Sequence, residues 1–273
     1  MQLPDPSTAA GRSALAALLA EPARSLVALD VDGTLSPLVA DPAAARLAEG
    51  ALPVLASLAD RVGAVALITG REVRFPVETL GLSAVRGLTV LGQYGLQRWS
   101  AAEGYASPEP APGLAVVRAA LPELLAAAPD GVTVEDKGLA LVVHTRRAPD
   151  PQAALDALRP ALVALAVAQG LAADDGRYGV ELRPRGTDKG HALAGLIALH
   201  RPAAVLFAGD DRGDLPAVAV LQHQREHGVP GLFVHPETAG EPVPEVRAQA
   251  DLVVDGPAGT VALLAALVAA LGD

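Results

Sequence analysis

The chain has 273 residues, no cysteine, 51% hydrophobic residues and a net charge of −10 with a pI near 5.0. Length and hydrophobicity allow a large core plus a second module and exclude a disordered chain; the acidic balance, without a Lys/Arg run, argues against a nucleic-acid or anionic-membrane partner. The missing cysteine excludes a disulfide, a thiolate zinc site and a thiol nucleophile.

The first apolar stretch, Leu15 to Ala20, is flanked by Asp5 and Glu21, which suits a surface helix and not a signal-peptide core. A buried strand, Ser25-Leu26-Val27-Ala28-Leu29, then runs into Asp30-Val31-Asp32-Gly33-Thr34-Leu35. Extended backbone repeats every two residues, so Asp30 and Asp32 can point the same way, and Gly33 permits a tight turn beneath an anion. A nucleophile and a general acid acting on one atom need that geometry, although a solvated turn at a strand end would also fit. A helix is expected near Ala44 to Ala59, a second strand over 64–68 ending in Thr69-Gly70-Arg71, a helix near Val73 to Leu80 and a strand near Leu88 to Leu91. A hydroxyl and free backbone N–H groups at a strand end can hold a phosphoryl oxygen.

The middle of the chain has another pattern. A proline-rich stretch, Ala106 to Gly113, leads into a helix, and Val132 to His144 reads as a hairpin turning near Lys137-Gly138. A helix from Pro151 to about Gln169 is followed by Leu171–Ala173 and Tyr178–Leu182, a second hairpin around Asp174-Asp175-Gly176. Two hairpins, each preceded by a helix, predict an antiparallel α+β module inserted over 97–186 as a lid.

Thr187-Asp188-Lys189-Gly190 then opens a helix that runs to His200. A lysine in a first turn opposes the helix dipole, so Lys189 is expected to serve another group. The strand Ala204–Ala208 ends in Gly209-Asp210-Asp211-Arg212-Gly213-Asp214, whose adjacent carboxylates repel unless a cation neutralises them. A helix from Asp214 to about Glu226, strands at 231–234 and 251–254 and an apolar helix from Val261 to Leu271, too short to span a bilayer, complete the chain. Alternation at both ends predicts an α/β fold with a doubly wound parallel sheet and its site at the strands' C-terminal ends.

Asp-x-Asp, Thr, Lys and Gly-Asp-Asp in this order resemble the four motifs of the haloacid dehalogenase phosphatases, and further segments narrow the resemblance to trehalose-6-phosphate phosphatases. These segments are Gly92-Gln93-Tyr94-Gly95, Glu135-Asp136-Lys137-Gly138, His144-Thr145-Arg146 and Glu181-Leu182-Arg183-Pro184. The last motif departs from the family's usual Gly-Asp-Asp-x-Thr-Asp-Glu by reading Arg212-Gly213-Asp214-Leu215, and Gln93-Tyr94 replaces the usual Asn-His type pair. The resemblance implies a haloacid dehalogenase-like core in two parts, 1–96 and 187–273, around an α+β cap at 97–186. It implies a Mg²⁺-dependent, cytoplasmic phosphohydrolase that releases trehalose from trehalose 6-phosphate through an aspartyl phosphate, working beside trehalose-6-phosphate synthase on a small sugar phosphate. By the same resemblance Asp30 is the nucleophile, Asp32 the general acid and base, and Thr69 and Lys189 phosphate partners. Gly70, Arg71, Gln93, Glu135, Lys137, Arg146 and Glu181 contact substrate, with Arg177 a further basic contact. Asp30, Asp32, Asp210 and Asp211 hold the metal, with Asp214 an alternative to Asp211. Sucrose-phosphate and mannosylglycerate-phosphate phosphatases, a phosphomutase and a silent carbohydrate-sensing module are the alternatives; a silent module has no need of Asp30, Asp32, Lys189 and Asp210 together.

His223-Gln224-Arg225-Glu226-His227 also fits the His-x-x-Glu-His pattern of zinc peptidases. Gly228 and Pro230 end the helix at once and no third ligand is identifiable, so a helix end is the expected reading.

Overall fold

In the computed structural model, which describes residues 3–39, 41–176, 178–238 and 243–272, the chain opens with helix α1 (Ala9–Ala20). The Thr8 hydroxyl caps α1 by accepting from the Gly11 amide at 2.9 Å. Strand β1 (Ser25–Leu29), helix α2 (Ala51–Ala59) and strands β2 (Ala64–Ile68), β3 (Leu88–Gly92), β4 (Gln97–Ser100) and β5 (Gly104–Ala106) follow. Helix α3 (Pro112–Leu124), strands β6 (Thr133–Asp136) and β7 (Leu141–His144), helix α4 (Pro151–Ala168) and strands β8 (Leu171–Gly176) and β9 (Gly179–Pro184) make up the middle. Helix α5 (Lys189–His200), strand β10 (Ala204–Ala208), helix α6 (Leu215–Glu226), strand β11 (Gly231–Glu237), helix α7 (Pro244–Arg247), strand β12 (Leu252–Asp255) and helix α8 (Gly256–Leu271) close the chain.

Two compact units result, Met1–Ala106 with Asp188–Asp273, and Ser107–Thr187. The first holds an eight-stranded sheet in the order β12-β11-β10-β1-β2-β3-β4-β5, parallel from β12 to β3 and antiparallel beyond. β1 is buried on both faces: Val27 and Leu29 pack on the side of α1, α2 and α8, whereas Leu26 and Ala28 pack on the side of α5 and α6. The chain is therefore doubly wound, as expected, and the order reverses at β1, between β10 and β2. Burying both faces of a parallel strand requires a continuous apolar run, which 26–29 and 204–208 supply.

The second unit is an antiparallel sheet in the order β6-β7-β9-β8, with α3 and α4 contributing Leu114, Val117, Leu121, Leu155, Leu162 and Ala166 to the core on one face. Glu135, Val142, Glu181 and Asp174 are register partners across the four strands. They lie on the face opposite Leu141, Val143, Val180 and Leu182, which make the apolar core.

Several local expectations need correction. Residues 97–106 do not open the inserted module: β4 pairs with β3, and β5 with β4, extending the large sheet. The helix expected over 44–59 is a short turn at Pro42–Ala44 followed by α2, which starts only after Gly50 takes a left-handed φ of 80°. Between Val73 and Leu80 the chain makes a π turn, Phe75–Thr79, because Pro76 removes a backbone donor there. The second hairpin turns beyond Gly176, so Asp174 and Asp175 lie inside β8. Among the described residues no helix is long and apolar enough to cross a membrane.

Candidate active site

Asp30, Thr69, Gln93 and Asp210 each follow the C-terminal end of a neighbouring strand, β1, β2, β3 and β10, so the sheet itself gathers them. The Asp30 amide continues the ladder by donating to the Ala208 carbonyl at 2.9 Å. Lys189 arrives from the first turn of α5, which is fixed by Asp188 accepting from the His191 amide at 2.8 Å. Its Nζ lies 2.8 Å from Asp30 Oδ1 and 2.8 Å from Asp214 Oδ1. An ammonium at a helix N-terminus is thus held by two buried carboxylates that outweigh the dipole.

Asp30, Asp210 and Asp214 bring carboxylate oxygens within 4.8 Å of one another. Two glycines make this crowding feasible. Gly33 has φ of 80°, and a Cβ there would lie 2.0 Å from Asp210 Oδ2; at Gly209 it would lie 2.2 Å from Asp214 Cγ. Thr34 Oγ1 donates to Asp210 Oδ1 at 3.3 Å.

Electrostatics follow from burial. Desolvation raises the Asp30 carboxyl well above the usual range; Lys189 opposes this, whereas Asp210 and Asp211 add to it. Burial, reinforced by Asp214 and Asp211, pushes Asp210 up to about 7 against the pull of Lys189. Asp214 is likewise raised by burial, against Lys189 and with Asp30 adding to the rise. Burial disfavours the Lys189 ammonium, but Asp214 and Asp30 override it and carry its pKa well above the ordinary lysine value.

The remaining core residues take other partners. Asp32 forms a bidentate pair with Arg71, Nε to Oδ2 at 2.6 Å and Nη2 to Oδ1 at 2.7 Å, instead of joining the Asp30 cluster. Arg71 also donates to the Pro42 carbonyl at 2.8 Å and stacks over Phe75 at 4.3 Å. Thr69 is buried, and its hydroxyl accepts from the Arg71 amide at 3.1 Å. Gly70 lies where a Cβ would meet the Tyr94 hydroxyl at 2.7 Å. Gln93 is buried on a left-handed turn, φ 45°, tied back by its amide to the Arg71 carbonyl at 2.8 Å.

Asp211, expected among the metal carboxylates, stands outside the cluster because its side chain caps the turn Arg212–Asp214, accepting from the Gly213 amide at 2.8 Å. Asp214 takes its place and is fully buried. Its Oδ2 completes a capping box by accepting from the Asp211 amide at 3.1 Å. The Asp-x-x-Asp spacing of 211 and 214 was the signal that could have separated them.

In the second unit, Lys137 Nζ lies 3.0 Å from Glu181 Oε1, and Glu135 Oε2 lies 2.8 Å from His144 Nε2. Arg183 Nε donates to Asp174 Oδ2 at 2.7 Å. These charges crowd the face opposite the helices. Arg146 does not join them: β7 ends at His144, and Arg146 is exposed in the turn beyond. Arg177 lies outside the described residues.

Three carboxylate oxygens converging beside a lysine form an oxygen-only donor set that fits a hard divalent cation. A buried group of acids raised in pKa is the arrangement such a cation relieves.

The sequence model described as trehalose-phosphatase matches residues 28–251. The chain is 34% identical over 226 residues to an uncharacterized glycosyl hydrolase of Mycobacterium tuberculosis, covering 75% of this chain and 16% of that protein. It is 33% identical over 223 residues to a trehalose-phosphate phosphatase of the same species, covering 77% of this chain and 54% of the relative. It thus spans a small part of the first and about half of the second. Among solved structures, the C-terminal domain of C. albicans trehalose-6-phosphate phosphatase superposes with a TM-score of 0.76 at 20% identity, over 98% of this chain and 99% of that one. A haloacid dehalogenase-like hydrolase from Bacteroides thetaiotaomicron shares the fold with a TM-score of 0.64 at 16% identity, over 88% and 98% of the two chains. With more than half its length matched by the family model, this chain belongs to the trehalose-phosphatase family.

Proposed function

We propose that this chain hydrolyses trehalose 6-phosphate to trehalose and phosphate, with Mg²⁺ as cofactor and Asp30 as nucleophile. The observation that carries the reading is the buried Asp30–Lys189–Asp214 arrangement with Asp210 beside it, at the strand ends of a chain in this family. Asp30 attacks phosphorus and forms an aspartyl phosphate as the sugar oxygen leaves, and Asp32 gives that oxygen its proton. Asp32 then takes a proton from water, whose oxygen attacks phosphorus and returns Asp30 as a carboxylate. Lys189 keeps Asp30 in place and offsets the charge of the incoming phosphate, while the Thr69 hydroxyl and nearby amides hold a phosphoryl oxygen.

Asp30, Asp210 and Asp214 would hold Mg²⁺, which supplies charge neutralisation between a phosphate dianion and the attacking carboxylate. Asp32 has both oxygens engaged by Arg71, so proton transfer requires that pair to open. The sugar falls to Glu135, Lys137 and Glu181 of the inserted unit, with Gln93, Gly70 and Arg71 near the phosphate. Cytoplasmic work beside a synthase that makes trehalose 6-phosphate belongs to the same reading.

Phosphate release across trehalose 6-phosphate, sucrose phosphate, mannosylglycerate phosphate and glucose 6-phosphate tests the assignment. Trehalose 6-phosphate should give the highest kcat/KM. A higher value for another member of the panel would transfer the assignment to that sugar.

A further inference from the structure

The last turn of α6 carries His223 and Glu226, with His227 as its C-cap, and the phosphatase reading uses none of the three. Their ligand atoms lie within 4.8 Å of one another, and the two imidazole rings have centroids 4.1 Å apart. All three side chains are exposed. Glu226, the acid of the His-x-x-Glu-His pattern, stands in the structure as a third candidate ligand beside the two histidines. We propose that His223, Glu226 and His227 form a surface site for a transition-metal dication of the Zn²⁺ type, separate from the carboxylate cluster.

Backbone geometry fixes the turn. Gly228 takes φ of 84°, its amide donates to the Arg225 carbonyl at 3.2 Å, and the Val229 amide donates to the Gln224 carbonyl at 3.0 Å. Together these bonds make a Schellman stop, which holds residues i, i+3 and i+4 on one side of a helix end. His227 Nδ1 lies 2.8 Å from the His223 carbonyl. A carbonyl only accepts, so in the neutral ring this contact selects the tautomer with the proton on Nδ1 and leaves the Nε2 lone pair for a metal, the arrangement by which a backbone oxygen orients a histidine ligand.

Local charge also fits. Arg225, the cation in this turn, faces away: its Nε donates to the Gly231 carbonyl at 3.0 Å and its guanidinium pairs with Asp251. Among the described residues the side chains of Glu226 and His223 have no hydrogen-bond or ion-pair partner, so binding breaks no existing contact there. Two imidazole nitrogens and a carboxylate favour Zn²⁺, Ni²⁺ or Cu²⁺ over Mg²⁺, which prefers oxygen ligands. At 1.5 Å per residue the turn lies roughly 14–20 Å along α6 from Asp214, too far to share an ion with it. Three ligands leave a tetrahedral ion at least one open position.

The test is a Zn²⁺ titration of the full chain, stripped of metal and held in excess Mg²⁺, against a chromophoric chelator. Wild type should bind one equivalent more tightly than any further Zn²⁺. His223→Ala and His227→Ala should each weaken that equivalent by at least about tenfold, while Asp210→Ala leaves it in place. These exposed substitutions should leave the thermal midpoint of the metal-free protein unchanged, so lost binding would not reflect lost folding. X-ray absorption should show nitrogen in the zinc shell. Absence of a distinct Zn²⁺ equivalent, an equivalent unaffected by both histidine substitutions, or one abolished by Asp210→Ala would overturn the proposal.

Discussion

At the level of single residues, Lys189 sets the electrostatics of the strand ends. It neutralises Asp30 and Asp214 from a side chain only 5% exposed, and its removal would leave buried carboxylates unpaired. Lys189→Met should therefore destabilise the metal-free protein by about 3–5 kcal/mol in urea unfolding. Mg²⁺ should recover more stability in this variant than in wild type, because cation and ammonium neutralise the same oxygens. Equal Mg²⁺ stabilisation in both proteins would separate the cation from this cluster. Gly33 makes a second residue-scale point. Gly33→Ala combines a left-handed φ with a Cβ placed on the Asp210 carboxylate, so it should cost at least about 1 kcal/mol and raise the Mg²⁺ concentration needed for half-maximal activity. An unchanged Mg²⁺ requirement would mean that Asp210 can shift without consequence.

At the level of elements, the readable parts of the sequence were those where local chemistry and tertiary role agree. Apolar runs at 26–29, 64–68 and 204–208 became buried parallel strands, and the anomaly of a lysine in the first turn of α5 pointed to its acidic partners. Where backbone capping competes with ligation the sequence left Asp211 and Asp214 as alternatives: Asp210 and Asp211 look alike as neighbours, and the capping box turns 211 outward and 214 inward. Arg71 reaching across to Asp32 joins residues far apart in sequence, which no local pattern encodes. Alanine richness hid the late start of α2, and the strand pairing of 97–106 depended on an edge supplied by β3.

The inserted sheet gives an element-scale prediction. Glu135 and Glu181 share one row of register and Lys137 pairs with Glu181, so the face opposite the helices presents a charged group set suited to sugar hydroxyls. Replacing Glu135, Lys137 or Glu181 by Ala should lower kcat/KM for trehalose 6-phosphate by about one to two decades, from about 1.5–3 kcal/mol per lost charged hydrogen bond. A small aryl phosphate should be hydrolysed almost as before. Equal losses on both substrates would make these residues structural.

On the scale of the whole molecule, the proposed reaction would divide between two units. The ends of a parallel sheet and the first turn of α5 gather the buried acids and the lysine, and a separate antiparallel sheet carries the charged face that the proposal assigns to the sugar. The fold was legible because alternation of strands and helices admits few topologies. Recognition of the sugar was less so, since surface charges on hairpins occur for many reasons. In the proposed reaction Asp30 receives the phosphoryl group of trehalose 6-phosphate. Acid quenching during turnover with Mg²⁺, followed by mass spectrometry of the peptide that contains Asp30, measures this directly. A phosphoryl group should appear on Asp30, absent without Mg²⁺ and absent, together with turnover, in Asp30→Asn. Steady hydrolysis of trehalose 6-phosphate by Asp30→Asn, or a phosphoryl group found on another residue, would contradict it.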